Sequence, residues 1–224
     1  MYEAFDGVAG RTLLAIEPGD SIRQVAQRTH TPYETVRQAV NTLEEAGFVR
    51  YNDGLYVSDD RVADAALDFA AVSAQVDPPT IDETYVIPQF AAAPYAFTRI
   101  DAVYVWTRGG YQVGRDQADY PLFLAVGEED LEYWEEFFDR FGIPVAFERR
   151  PADEVEGSIQ FVLEPRSELE VEWVDGYPVI SLEETIEYMQ EHYVHFQSAL
   201  EMLDRMYDEL DLDVTYRDPG VAQP

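Results

Sequence analysis

The apolar positions change period along the chain, and each change marks an element. Ile22, Val25 and Ala26, and then Val36, Val40 and Leu43, recur at one-, three- and four-residue steps. That spacing predicts two amphipathic helices separated by a turn at Thr29 and His30. Asp20 or Ser21 caps the first. Thr31, with Pro32 at the first helical position and Glu34 three residues on, predicts a capping box for the second, which spans 31–46. Gly47 closes it. The period then falls to two. Phe48 to Tyr51 and Leu55 to Val57 are β-prone runs joined by Asn52, Asp53 and Gly54, a hairpin turn.

After the hairpin, Asp59 and Asp60 cap an alanine-rich amphipathic stretch from Arg61 to Gln75, which Pro78 and Pro79 stop. Beyond Thr80 the pattern is mixed. Strands are predicted at Ala102 to Thr107, Pro121 to Val126, Ile143 to Phe147, Ser158 to Leu163 and Leu169 to Val174, with a turn at Arg108, Gly109 and Gly110. Glu128 to Phe141 reads as an acidic helix with Leu131, Trp134, Phe137, Phe138 and Phe141 inward. Ser181 opens another helix, again with a capping box, and helical periodicity runs on to about Leu210. The expected fold class is α+β or α/β. Residues 1–58 form a first domain, 59–79 a helical connector, 80–217 a mixed α/β domain with long C-terminal helices, and 218–224 a frayed tail.

Charge changes the picture. The 224 residues carry 15 basic against 45 acidic side chains, a formal net charge of -30, and every basic residue is arginine. Cysteine is absent, which excludes disulfides and thiolate metal sites. The carboxylates are dispersed along every segment. That pattern resembles proteins of halophilic archaea, whose surfaces stay hydrated in a salt-filled cytoplasm. No run approaches the ~18 apolar residues of a membrane span, and the N-terminus lacks a basic start before an apolar run, so the expected compartment is the cytoplasm.

Two helices joined by a short turn and closed by a hairpin describe a winged helix-turn-helix. Residues 8–58, including the run from Leu43 to Arg50, resemble the winged-helix families of prokaryotic repressors. The resemblance implies a transcriptional regulator that binds double-stranded DNA, with the helix 31–46 in the major groove. Its candidate base-reading residues are Thr31, Tyr33, Thr35, Arg37, Gln38 and Asn41. Arginine, glutamine and asparagine make paired hydrogen bonds to base edges. Arg23 and Arg28 on the preceding helix and Arg50 in the wing suit phosphates, and Asn52 of the hairpin turn is a further DNA-binding candidate. The alternative is a solvated face of a small domain that docks protein. An acidic isoelectric point near 4.1 ordinarily counts against DNA binding. At molar salt, however, long-range charge effects are screened within about 3 Å.

A second resemblance is shorter. Gly109 and Gly110, followed by Asp119 at the head of a strand, are similar to the core motif of nucleotidyltransferase-fold proteins. In that motif two carboxylates spaced i and i+2 hold magnesium. Here Pro121 stands at the second position, so the resemblance implies a domain without that catalysis. Some antitoxin repressors pair a winged helix with such a domain. The rival reading is a nucleic-acid-modifying or nucleotidyl-transferring enzyme that uses the winged helix for docking. No catalytic residue, cofactor or metal is assigned. His192 and His195 are spaced to share a metal but lack an evident third ligand. A two-fold operator implies a homodimer. Its seam is expected either on the C-terminal helical stretch or on the connector face of Ala63, Ala66, Leu67, Ala70, Ala71 and Ala74. A small ligand or a protein is the expected effector of the C-terminal domain.

Overall fold

The computed structural model describes residues 8–112, 119–147, 158–207, 210 and 212. The chain termini, including the expected tail 218–224, and the Asp119 side chain lie outside the described residues. Helices α1 (Val8–Leu14), α2 (Ile22–Arg28) and α3 (Tyr33–Glu45) precede the antiparallel strands β1 (Val49–Tyr51) and β2 (Leu55–Val57). Val36, Ala39, Val40 and Leu43 form the buried stripe of α3, against Leu13, Val25 and Leu55 in the same core. Ser21 caps α2 in a reciprocal box with Gln24. The cap expected of Thr31 does not form. Pro32 occupies the N-cap position of α3, and the Thr31 hydroxyl instead donates to the Thr29 carbonyl at 3.0 Å. Gly47, at φ +78°, ends α3 as expected: its N–H bonds to Glu44 and that of Phe48 reaches back to Leu43. Gly54 is required by space, because a Cβ there would lie 2.6 Å from the Gly19 carbonyl oxygen.

Helix α4 (Asp60–Val76), capped by Asp59, covers the stretch expected as a connector, but it is built into the core. Ala66, Ala70, Ala71 and Ala74 are buried inside the chain, so that face does not supply the expected dimer seam. Arg140 anchors α4 through an ion pair of its guanidinium with Asp68 at 2.6 Å and through its carbonyl, which accepts from the Gln75 side-chain amide at 2.7 Å.

After α5 (Ile81–Thr84) and a 3-10 turn (Ile87–Phe90), the chain forms a mixed α/β layer. In order of appearance come β3 (Tyr95–Phe97), α6 (Arg99–Trp106), β4 (Asp119–Gly127), α7 (Leu131–Phe141), β5 (Val145–Phe147), β6 (Ser158–Arg166), β7 (Glu172–Val174) and β8 (Tyr177–Val179). The six-stranded sheet runs β5-β6-β4-β3-β8-β7. Strands β4, β5 and β6 are parallel, as are β3 and β8, while β3 with β4 and β7 with β8 are antiparallel. Leu122, Leu124, Phe161 and Leu163 are fully buried. Phe138 of α7 stacks on Phe161 at 4.0 Å.

Two expectations fail here for physical reasons. Ala102 to Thr107 is not a strand but lies in α6 and its C-cap. Apolar residues surround that short helix because it is buried on several sides, so no polar face reveals its period. Its Asp101 is fully buried and accepts hydrogen bonds from the Tyr85 hydroxyl (2.5 Å) and the Phe123 amide (2.8 Å). The C-terminal helical stretch is likewise not continuous. It breaks at His192 into α8 (Leu182–Glu191) and α9 (Tyr193–Met206). Ser181 caps α8, but Arg166 engages the Glu184 carboxylate, and only one half of the expected capping box is made. No helix among the described residues is long and apolar enough to cross a membrane.

The buried residues of both ends of the chain form one continuous cluster. The tightest junction is the β7–β8 turn. Gly176, at φ +89°, presses on the end of α2 so closely that a Cβ would lie 2.2 Å from the Gln27 carbonyl oxygen. Gly176→Ala combines that overlap with an unfavourable left-handed backbone. It is expected to cost about 1–3 kcal/mol, read as a lowered denaturant midpoint at molar salt. An unchanged midpoint would show that the turn does not bear on α2.

Candidate nucleic-acid interface

The helix pair α2–α3 is fixed at its turn. Arg28, 7% exposed, ends α2 and points inward. Its guanidinium bonds to the Ala15 carbonyl, to Asp20 at 2.6 Å and to Glu17 at 3.2 Å. Asp20 in turn is bridged by its backbone to Leu55 of β2. Arg28 is therefore withdrawn from the candidate phosphate contacts. It is a structural cation, held by Asp20, which the sequence pattern offered only as a helix cap.

At the turn, His30 adopts φ +49° and stacks on Tyr177 at 3.8 Å. Loss of water on the packed side lowers its pKa from 6.5 to about 4, against the pull of the Asp175 carboxylate. The ring is thus neutral at pH 7 and serves as packing.

The remaining candidates divide by exposure. Tyr33, Arg37, Gln38 and Asn41 are exposed on α3, while Thr31 and Thr35 are half-buried at its start. Helical spacing puts Tyr33, Arg37 and Asn41 on one face, with Gln38 at its edge. Glu34 shares that face and holds Arg37 at 2.7 Å. Arg50 and Asn52 are exposed in the hairpin, and Arg23 is exposed on α2. Neither Arg23 nor Arg50 has an ion-pair partner among the described residues. The Tyr51 amide is 3.4 Å from the Glu44 carboxylate, which brings the hairpin beside the end of α3. Tyr51 and Phe48 are exposed there as well, two aromatic faces that the alternating pattern had placed only as strand residues. The surface is thus locally mixed in charge, with Glu34, Glu44, Glu45 and Asp53 among the arginines.

The second motif is less complete. Gly109 and Gly110 follow α6, and β4 begins at Asp119 with Pro121 paired to Gln160 of β6. Gly110 is packed under Met202, whose Cε would lie 2.4 Å from a Cβ, so the turn has a packing role of its own. His192 sits in the break between α8 and α9, its Nδ1 2.9 Å from the Tyr188 carbonyl. No group of three or more metal-ligating side chains occurs among the described residues. The chain matches no protein-family model, no curated protein and no solved structure.

The Arg28 pair has a measurable weight. Asp20→Ala leaves a buried guanidinium short of its main partner and is expected to cost about 3–5 kcal/mol, loosening α2 against β2. Thermal unfolding at constant salt reads this, and a loss under about 1 kcal/mol would place the pair at the level of a surface contact.

Proposed function

We propose that the chain is a sequence-specific DNA-binding transcriptional regulator from a cell with a high-salt cytoplasm. In this reading residues 8–58 act as a winged helix-turn-helix, with α3 in the major groove. The observation that supports it is the exposed face of Tyr33, Arg37, Gln38 and Asn41 on a helix locked at its turn and flanked by a hairpin bearing Arg50 and Asn52. Side chains that read bases need a rigid mount, because discrimination depends on placement within a hydrogen bond's tolerance. Arg37 is poised rather than free: a base edge or phosphate must take it from Glu34, an exposed pair that costs little to open.

Arg37 and Asn41 specify in this scheme, whereas Arg23 and Arg50 position. In binding measured at molar potassium chloride on DNA selected by chromatin immunoprecipitation, Arg37→Ala with Asn41→Ala should lose about 1–3 kcal/mol per contact and relax sequence preference. Arg23→Ala with Arg50→Ala should weaken all sequences alike. Absence of enrichment at any promoter in the high-salt host would remove the reading.

A second copy of the chain is the partner proposed for a two-fold operator. Ala65, Phe69, Val72 and Val76 line the outer face of α4 at steps of four, three and four, and Val76 is 78% exposed. Val72→Glu is expected to convert a sedimenting dimer into a monomer with an unchanged circular dichroism spectrum. A wild-type chain that sediments as a monomer would overturn the seam.

A further inference from the structure

Four of the eight buried side-chain nitrogen and oxygen atoms without a hydrogen-bond partner among the described residues belong to three neighbours of one cleft. They are Nε of Arg28, both amide atoms of Gln89 and the hydroxyl oxygen of Tyr95. Buried polar groups almost always find partners, because an unmet one forfeits its hydration with no return. A concentration of them at a single place therefore needs a cause. Gln89 is the clearest case. It is 9% exposed in the 3-10 turn Ile87–Phe90, where an apolar side chain would fill the same space without that penalty.

The cleft, of about 390 Å³, lies between the end of α2 and the β7 edge of the sheet. Pro88, Pro94 and Pro178 stiffen its walls, and Trp173 stands at its side, 59% exposed. The charges present are already balanced. Arg28 is compensated by Asp20 and Glu17, so an anion gains little there. Burial pushes the Tyr95 phenol well above its usual range, so it remains a hydroxyl at any working pH. The cleft has flat apolar walls, and a turn of Gln89 into it would present a neutral donor–acceptor pair, with the Arg28 Nε and the Tyr95 hydroxyl behind it.

We propose that this cleft binds a small, neutral, planar amide, such as an aromatic carboxamide or a lactam. The amide edge of the ligand pairs with the Gln89 amide in a two-point contact, and its ring packs between Trp173 and the prolines. In the free protein the polar atoms are shut off from water, so the Gln89 side chain turns to admit the head group. The ligand would touch Arg28, and through it the start of the α2–α3 turn. The site stands independently of DNA binding and is tested without DNA.

Benzamide and benzoate are the probes, alike in ring and shape and different in head-group charge. Millimolar benzamide is expected to raise the melting midpoint of the full chain and to shift the side-chain amide resonances of Gln89 and the indole resonance of Trp173, while benzoate leaves them in place. Trp106 and Trp134 are buried, so iodide quenching reads Trp173, and benzamide should protect it. Gln89→Leu is expected to melt several degrees higher than the parent, with its unpaired amide gone, and to lose the benzamide response. Trp173→Ala should weaken benzamide binding at least several-fold while keeping the parent's melting midpoint. Three results would each overturn the proposal: no benzamide response in the parent, an equal response in Gln89→Leu, or a Gln89→Leu chain that melts lower. An equal response to benzoate would overturn the neutral head group.

Discussion

One buried guanidinium organises the N-terminal part of the chain. Arg28 closes α2, takes the carbonyl of Ala15 just after α1, and pairs with Asp20, whose backbone is bridged to β2. Three elements that also meet in one apolar core, through Leu13, Val25 and Leu55, are thereby tied together by a polar contact. A charge so placed is costly to desolvate, and its geometry must be good for it to persist. The return is positional: the short helices α1 and α2, seven residues each, are too brief to be stable alone and depend on such ties. The turn between α2 and α3 is then pressed from the other side by Gly176 and Tyr177.

Much of this fold was legible in the sequence where one face is wet. The stripe of Val36, Val40 and Leu43, the glycine closing α3, and the hairpin around Gly54 all report a periodic boundary between water and core. The failures share one physical origin. Helix α6 is enclosed by its neighbours, and an enclosed element has no polar face to betray whether its period is 2 or 3.6. The break at His192 was invisible because Phe196 and Leu200 continue the apolar spacing of Ile186 and Met189 across it. The candidate site was legible in outline and not in its ion pairs. Spacing shows that Arg37 lies outward, but the inward turn of Arg28 depends on Asp20 and on a backbone carbonyl, which no local pattern encodes. The Gln89 cleft depends on segments far apart in sequence, and a lone glutamine in an apolar run carries no signal of its own.

The charge of the molecule and its proposed partner appear opposed, and salt reconciles them. With a net charge of -30, attraction to phosphate at distance is not available. Recognition must come from contacts made within a few ångströms, where screening no longer reaches. That shifts weight from the number of arginines to their mounting, which makes the locked turn more consequential than the overall field.

The core that runs unbroken from α1 to α9 has a mechanical consequence. Proteins that signal by swinging one lobe past another need a thin waist, and the stretch expected as a connector is α4, whose inner face of Ala66, Ala70, Ala71 and Ala74 is packed into the core. Among the described residues the core is continuous across that stretch. Whatever passes between its two ends must travel as elastic deformation, with small displacements shared among many atoms, and an excised front end would leave behind an open apolar wound instead of a clean surface.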